Sequence, residues 1–138
     1  MDTNSAVHLK ELTESVKLYT ERRKSFDKGE LQDIRDRISL SLFYLSDFYS
    51  SARAESEAAE FEKKICLAQT EESLRGTIND DTKKQKSREQ IMNESRLLCK
   101  DKEEKLVEAN RRYYKIRMIV ETASQILNSI ASRINQLN

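Results

Sequence analysis

Three groups of cations are the residues whose type and spacing suggest chemistry. One is Lys83, Lys84, Lys86 and Arg88; another is Arg111, Arg112, Lys115 and Arg117, interleaved with Tyr113 and Tyr114; the third is Lys63 and Lys64, with Arg53 and Arg75 further along. Lysine and arginine neutralise phosphates, and aromatic faces stack bases, which is the combination that sequence-independent single-strand binding requires. The segment RRYYKIR fits that pattern and equally fits a solvated helix face, with Arg111 and Arg112 paired to Glu108 and Glu104.

Other chemistries find little support. No Ser–His–Asp arrangement, nucleophile elbow or Gly-rich phosphate loop is present, so no enzyme is expected. One His, at position 8, and two Cys, at 66 and 99, fall short of the four ligands a structural zinc site needs, and no cofactor is implied. Cys66 and Cys99 read as reduced, half-buried thiols on helix faces, with a disulfide as the minor reading. His8 reads as exposed.

The charges are balanced overall and uneven in place. The chain has 25 Lys/Arg against 24 Asp/Glu, a formal charge of +1. Residues 1–82 carry 12 against 17, whereas residues 83–138 carry 13 against 7. Such asymmetry implies either an anionic ligand or complementary packing between the halves.

The elements that must hold these residues are helices. With no Pro, two Gly and 36% charged residues in 138, the chain lacks the turn chemistry of a sheet protein. Leu9, Leu12, Val16, Tyr19 and Phe26 mark a helix over about 6–28, capped by Thr3, Asn4 or Ser5 and stopped at Gly29. A second helix is expected over 30–74. Its stretch from Ile38 to Tyr49 is apolar nearly all round, which predicts burial on several sides. The break at 75–82 contains Gly76, and Asp80, Asp81 or Thr82 can cap a third helix over 82–137.

That third helix carries the strongest pattern. Leu106, Tyr113, Val120, Leu127 and Ile134 repeat every seven residues. Ala109, Ile116, Ala123, Ile130 and Leu137 fall between them. Ile119 and Ile126 widen the seam, which suits a higher oligomer. The expected fold is all-α: a single domain, 1–138, made of a long helical hairpin with a shorter N-terminal helix. Its C-terminal seam (Leu106, Tyr113, Ile116, Val120, Ala123, Leu127, Ile130, Ile134, Leu137) is expected to drive homo-oligomerisation. No apolar run reaches membrane-spanning length and no signal peptide is seen, so a soluble protein of the cytoplasm, without a membrane partner, is expected.

The C-terminal sequence RRYYKIRMIVETASQILNSIASRINQLN, together with Glu62-Lys63-Lys64-Ile65-Cys66-Leu67-Ala68, Gly76 and the polar break Thr77–Thr82, resembles the UvsY-like family of phage recombination mediators. The resemblance spans about residues 40–135 and closes on Ile130-Ala131-Ser132-Arg133. It implies a ring-like oligomer of more than two subunits, assembled through C-terminal helices. Such a protein binds single-stranded DNA and helps load a RecA-type recombinase onto strands covered by single-strand DNA-binding protein. The DNA site it implies is Lys63 and Lys64. The following positions, Ala68, Gln69 and Thr70, depart from the family's basic pattern, which moves weight to Lys83, Lys84, Lys86 and Arg88 and then to Arg111 and Arg112. The rival expectation is a coiled-coil scaffold or assembly protein with no DNA role, for which the heptads suffice.

Overall fold

A computed structural model describes residues 2–22, 25–78 and 84–138. The fold is all-α, a helical hairpin with a shorter N-terminal helix. Four helices follow in order: α1 (Thr3–Arg22), α2 (Lys28–Leu74), α3 (Arg88–Leu98) and α4 (Lys100–Leu137). They form two compact units. Unit 1 combines residues 1–51 with 113–138, and unit 2 is residues 52–112.

The helix ends follow local hydrogen bonding. Asp2, rather than Thr3, Asn4 or Ser5, caps α1: its Oδ1 accepts the Ser5 N–H at 2.6 Å. That bond is also the first cause holding the Asp2 carboxyl below its ordinary pKa. Gly29 does not stop α1, because it lies in the first turn of α2. Asp27 caps that turn, its Oδ1 accepting the Glu30 N–H at 2.8 Å. Gly76 ends α2 as expected, with φ +77, a left-handed conformation that any side chain would strain. Backbone pairing continues beyond it. Lys86 N–H donates to the Thr77 carbonyl at 2.9 Å, and Ile78 bridges Gln85.

The third helix starts later than its pattern suggests and is split. Ser87 forms a capping box with Gln90, its Oγ accepting the Gln90 N–H at 3.2 Å while Gln90 Oε1 accepts the Ser87 N–H at 2.9 Å. The expected caps Asp80, Asp81 and Thr82 lie outside the described residues. Cys99 then separates α3 from α4 with φ −101 and ψ 16.

Unit 1 is a three-helix core. Leu12 and Tyr19 of α1, Leu31, Ile34, Ile38 and Leu45 of α2, and Ala123, Ile130 and Ile134 of α4 are buried together, with Phe26 of the α1–α2 connection. The 3–4 spacing on each helix puts these residues on one stripe. Ser15 and Ser41 sit within those stripes, fully or nearly fully buried. Tyr19 donates to or accepts from Ser129 Oγ at 2.7 Å, with the Arg133 guanidinium over its ring.

This core takes up the seam that the sequence assigned to contacts between copies. Ile116, Ala123, Ile130 and Ile134 are buried inside one chain. Tyr113, Val120 and Leu127 in unit 1, and Leu106 in unit 2, are half-buried, and Leu137 is exposed. The periodicity is real, and the partner helices belong to the same chain. Burial of Ile38–Tyr49 on several sides is also corrected. Ile38 and Leu45 face the core, whereas Leu40, Phe43 and Tyr44 are exposed. Tyr44 stacks on a half-buried His8, with ring centroids 4.4 Å apart.

In unit 2, α2 and α4 pair antiparallel through small residues. Ala52, Ala59 and Ala109 are buried, and Ser56 bonds Asn110. Cys66 and Cys99 form a disulfide with a Cα–Cα distance of 6.0 Å, so the expectation of reduced thiols is overturned. Thr70 Oγ1 lies 3.5 Å from the Cys99 sulfur.

Two measurements test these cores. Ile130 is fully buried, so Ile130→Ala should cost about 2–5 kcal/mol, read as a lowered urea midpoint. Ile130→Asp, which places an unpartnered charge there, should abolish the helical circular dichroism of unit 1. The disulfide closes a loop with a sequence separation of 33. Paired Cys66→Ser and Cys99→Ser replacement should therefore lower stability by roughly 3–4 kcal/mol in the same titration.

Candidate nucleic-acid interface

All eight candidate DNA-binding cations fall within residues 52–112, the span of unit 2. Across that span the sequence holds 14 Lys/Arg and 14 Asp/Glu, a net charge of zero. The basic clusters therefore sit among an equal number of carboxylates.

The geometry brings the two signs into contact. Lys63 Nζ lies 3.8 Å from Glu103, with 30% of its side chain exposed. Lys64 faces Glu60 one turn back at 3.4 Å. Of the two arginines read as solvated or paired with Glu108 and Glu104, Arg111 lies 3.7 Å from Glu108 and Arg112 reaches across to Glu55 at 3.7 Å. Glu104 instead lies 4.0 Å from Lys100. Lys86 donates to Glu94 Oε2 at 2.7 Å and is the most enclosed of these cations, with 20% of its side chain exposed.

Lys83 lies outside the described residues. Lys84 precedes α3 and is exposed. Arg88 opens α3 and lines a groove with Glu71, Arg75, Ile91 and Met92. Among the described residues no ion pair involves Arg88 or Lys115, and Arg117 donates to Glu121 at 2.8 Å. That contact raises the Arg117 pKa further above its already high ordinary value.

Lys63 points along the α2–α4 seam and Lys64 away from it. Arg111 and Arg112 face neighbouring carboxylates on their own helix and on α2 respectively. The tyrosines of RRYYKIR separate likewise. Tyr113 is half-buried and packs on Tyr49 at 5.9 Å, whereas Tyr114 is 52% exposed. A hydrogen bond to Tyr113 is the main cause raising the Tyr49 pKa.

The residues that sequence reasoning missed are the anions. Glu62 accepts from Lys105 Nζ at 3.0 Å and lies 3.9 Å from Lys102. With Glu55–Arg112 and Lys63–Glu103 these contacts form a ladder of opposite charges along the α2–α4 pair. Three of these four cross-helix contacts pair an acidic residue of the first part of the chain with a basic residue of the last part, in line with the charge asymmetry of the sequence. Among the described residues no group of His, Cys, Asp and Glu could hold a metal ion, and no helix is long and apolar enough to cross a membrane.

Comparison with protein-family models, with curated proteins and with solved structures finds no match to this chain.

The ladder has a pH signature. The hydrogen bond from Lys105 is the first cause holding the Glu62 carboxyl below its ordinary pKa, followed by the lysine's charge. A lowered folded-state pKa means that the contact's stabilisation is fully present above the unfolded value. It fades as pH falls through the folded one. Lys105→Ala should move the Glu62 titration upward, toward an ordinary glutamate, in a carbon-detected NMR titration, and an unmoved midpoint would refute the pairing.

Proposed function

We propose that this chain is a non-enzymatic helical scaffold or adaptor that works through contacts between proteins. One observation carries the reading. Five of the eight candidate cations, Lys63, Lys64, Lys86, Arg111 and Arg112, pair with carboxylates of the same unit, whereas large apolar side chains are left in solvent. Phe61, Leu97 and Leu98 in unit 2 are 65%, 73% and 64% exposed, and Phe43 and Met118 in unit 1 are 71% and 69% exposed. Large apolar side chains left in solvent are the material of protein-binding faces.

An exposed ion pair contributes little to folding, and a phosphate can compete for its cation. The displaced carboxylate stays nearby, however, and repels the same phosphate. Each pair thus removes most of the net attraction that its Lys or Arg would supply.

A second reading keeps the mediator role suggested by the family resemblance. In it the oligomer binds single-stranded DNA and, through protein contacts, a recombinase and a single-strand binding protein. The observation that favours it is Tyr114, half in solvent beside Lys115, which has no ion pair among the described residues. An aromatic face next to a cation is a stacking and phosphate site in miniature.

Fluorescence anisotropy with a labelled single-stranded oligonucleotide separates the two. The scaffold reading expects no saturable binding at low salt. Binding that is saturable, falls steeply toward physiological salt and is lost in Lys63→Ala with Lys64→Ala would replace it with the mediator reading.

A further inference from the structure

The outward face of α2 in unit 2 has a second periodic stripe. Ala54, Ala58, Phe61, Ile65 and Ala68 alternate in spacings of four and three, and all five are exposed, Phe61 at 65% and Ile65 at 38%. At about 100° per residue, this stripe lies about 160° around the helix from the seam of Ala52, Ser56, Ala59 and Cys66 that faces α4. One helix thus carries two four-three stripes, and the chain covers one of them. From the outer stripe we infer that unit 2 docks on a second copy of itself, α2 against α2, antiparallel.

Three features of the stripe choose the occupant and its direction. The first is size. Placing two copies antiparallel, with the two-fold axis next to Ala59 and Glu60, sets Phe61 over Ala58 of the other copy and Ile65 over its Ala54. Each large side chain then meets a small one, twice over by symmetry, and the two helices keep an even separation. A parallel, in-register pair would instead stack Phe61 on Phe61 and leave Ala58 facing Ala58.

Charge is the second feature. Glu57 and Lys64 flank the stripe on one side, one heptad apart. In the antiparallel pair each meets the other's counterpart, giving two Glu57–Lys64 contacts between copies. In a parallel pair Glu57 would face Glu62, and like charges oppose. The present partners of Glu57 and Lys64 are Arg53 and Glu60 one turn away, and all four side chains are more than half exposed, so these contacts are free to rearrange.

The third feature is the opposite flank. Antiparallel pairing brings Glu55 and Glu62 toward the other copy's Glu62 and Glu55. The chain already supplies their counter-ions, Arg112 to Glu55 and Lys105 with Lys102 to Glu62. The ladder that joins α2 to α4 therefore also removes the repulsion that would oppose this dimer. The inference is independent of whether the protein binds DNA.

Sedimentation equilibrium of the full chain over a concentration series tests it, with circular dichroism on every variant. Wild type should associate as a dimer. Phe61→Glu, at an exposed position, should keep the helical spectrum and weaken association at least about tenfold. Glu57→Lys and Lys64→Glu should each weaken it about fivefold, and the double reversal should restore it, because each Lys then meets a Glu again. A monomer at all concentrations overturns the inference. So does association that Phe61→Glu leaves unchanged, and so do single charge reversals without effect.

Discussion

Antiparallel packing of α2 on α4 is the constraint on which the rest depends. In unit 1 it brings Ile130 and Ala123 against Leu31, Ile38 and Leu45, with α1 closing the third side. In unit 2 it sets Glu55 by Arg112, Glu62 by Lys105, Lys63 by Glu103 and Cys66 by Cys99. The two units use different means for the same pairing. Unit 1 excludes water with large aliphatic side chains, which is the stronger term. Unit 2 has mostly alanines in its seam, so apolar burial there is thin, and a covalent link and several weak ion pairs accompany it.

That difference decides which large apolar side chains stay on the surface. A seam of small residues consumes few of the large apolar side chains available in unit 2. Phe61, Leu97, Leu98 and Val107 consequently remain on its surface. In unit 1 large aliphatic residues form the core, and Phe43 and Met118 lie on the opposite faces of their helices. The exposed apolar surface of unit 2 thus follows from how that unit allotted its apolar residues.

Much of the fold was legible in the sequence and less of the site. The helix class followed from the missing prolines, and Gly76 ended α2 for the reason glycine usually does. Within the repeat from Leu106 to Leu137, Ala109, Ile116, Ala123, Ile130 and Ile134 are buried, Leu106, Tyr113, Val120 and Leu127 are half-buried, and Leu137 is exposed. Periodicity reports that a face is covered and is silent about what covers it, which is why α1 and α2 took the place expected for other copies. Cys66 and Cys99 were unreadable as a pair because a spacing of 33 residues acquires meaning only once the antiparallel register is known. The split at Cys99 carries no Gly or Pro to announce it. Arg111 and Arg112 were read as solvated or paired with Glu108 and Glu104 of their own helix, because a cross-helix partner such as Glu55 has no signature in local spacing.

The Cys66–Cys99 link also sets a load path. Tension applied to the two ends of the chain would travel along α2 to Cys66, cross one sulfur–sulfur bond and continue along α4 from Cys99. The residues between, including the whole of α3 and its capping box, would carry none of it. About 110 Å of contour would be withheld from extension while that bond is intact. Under mechanical load the protein is a shorter and stiffer tether than its residue count implies, and the thiol redox state sets its length.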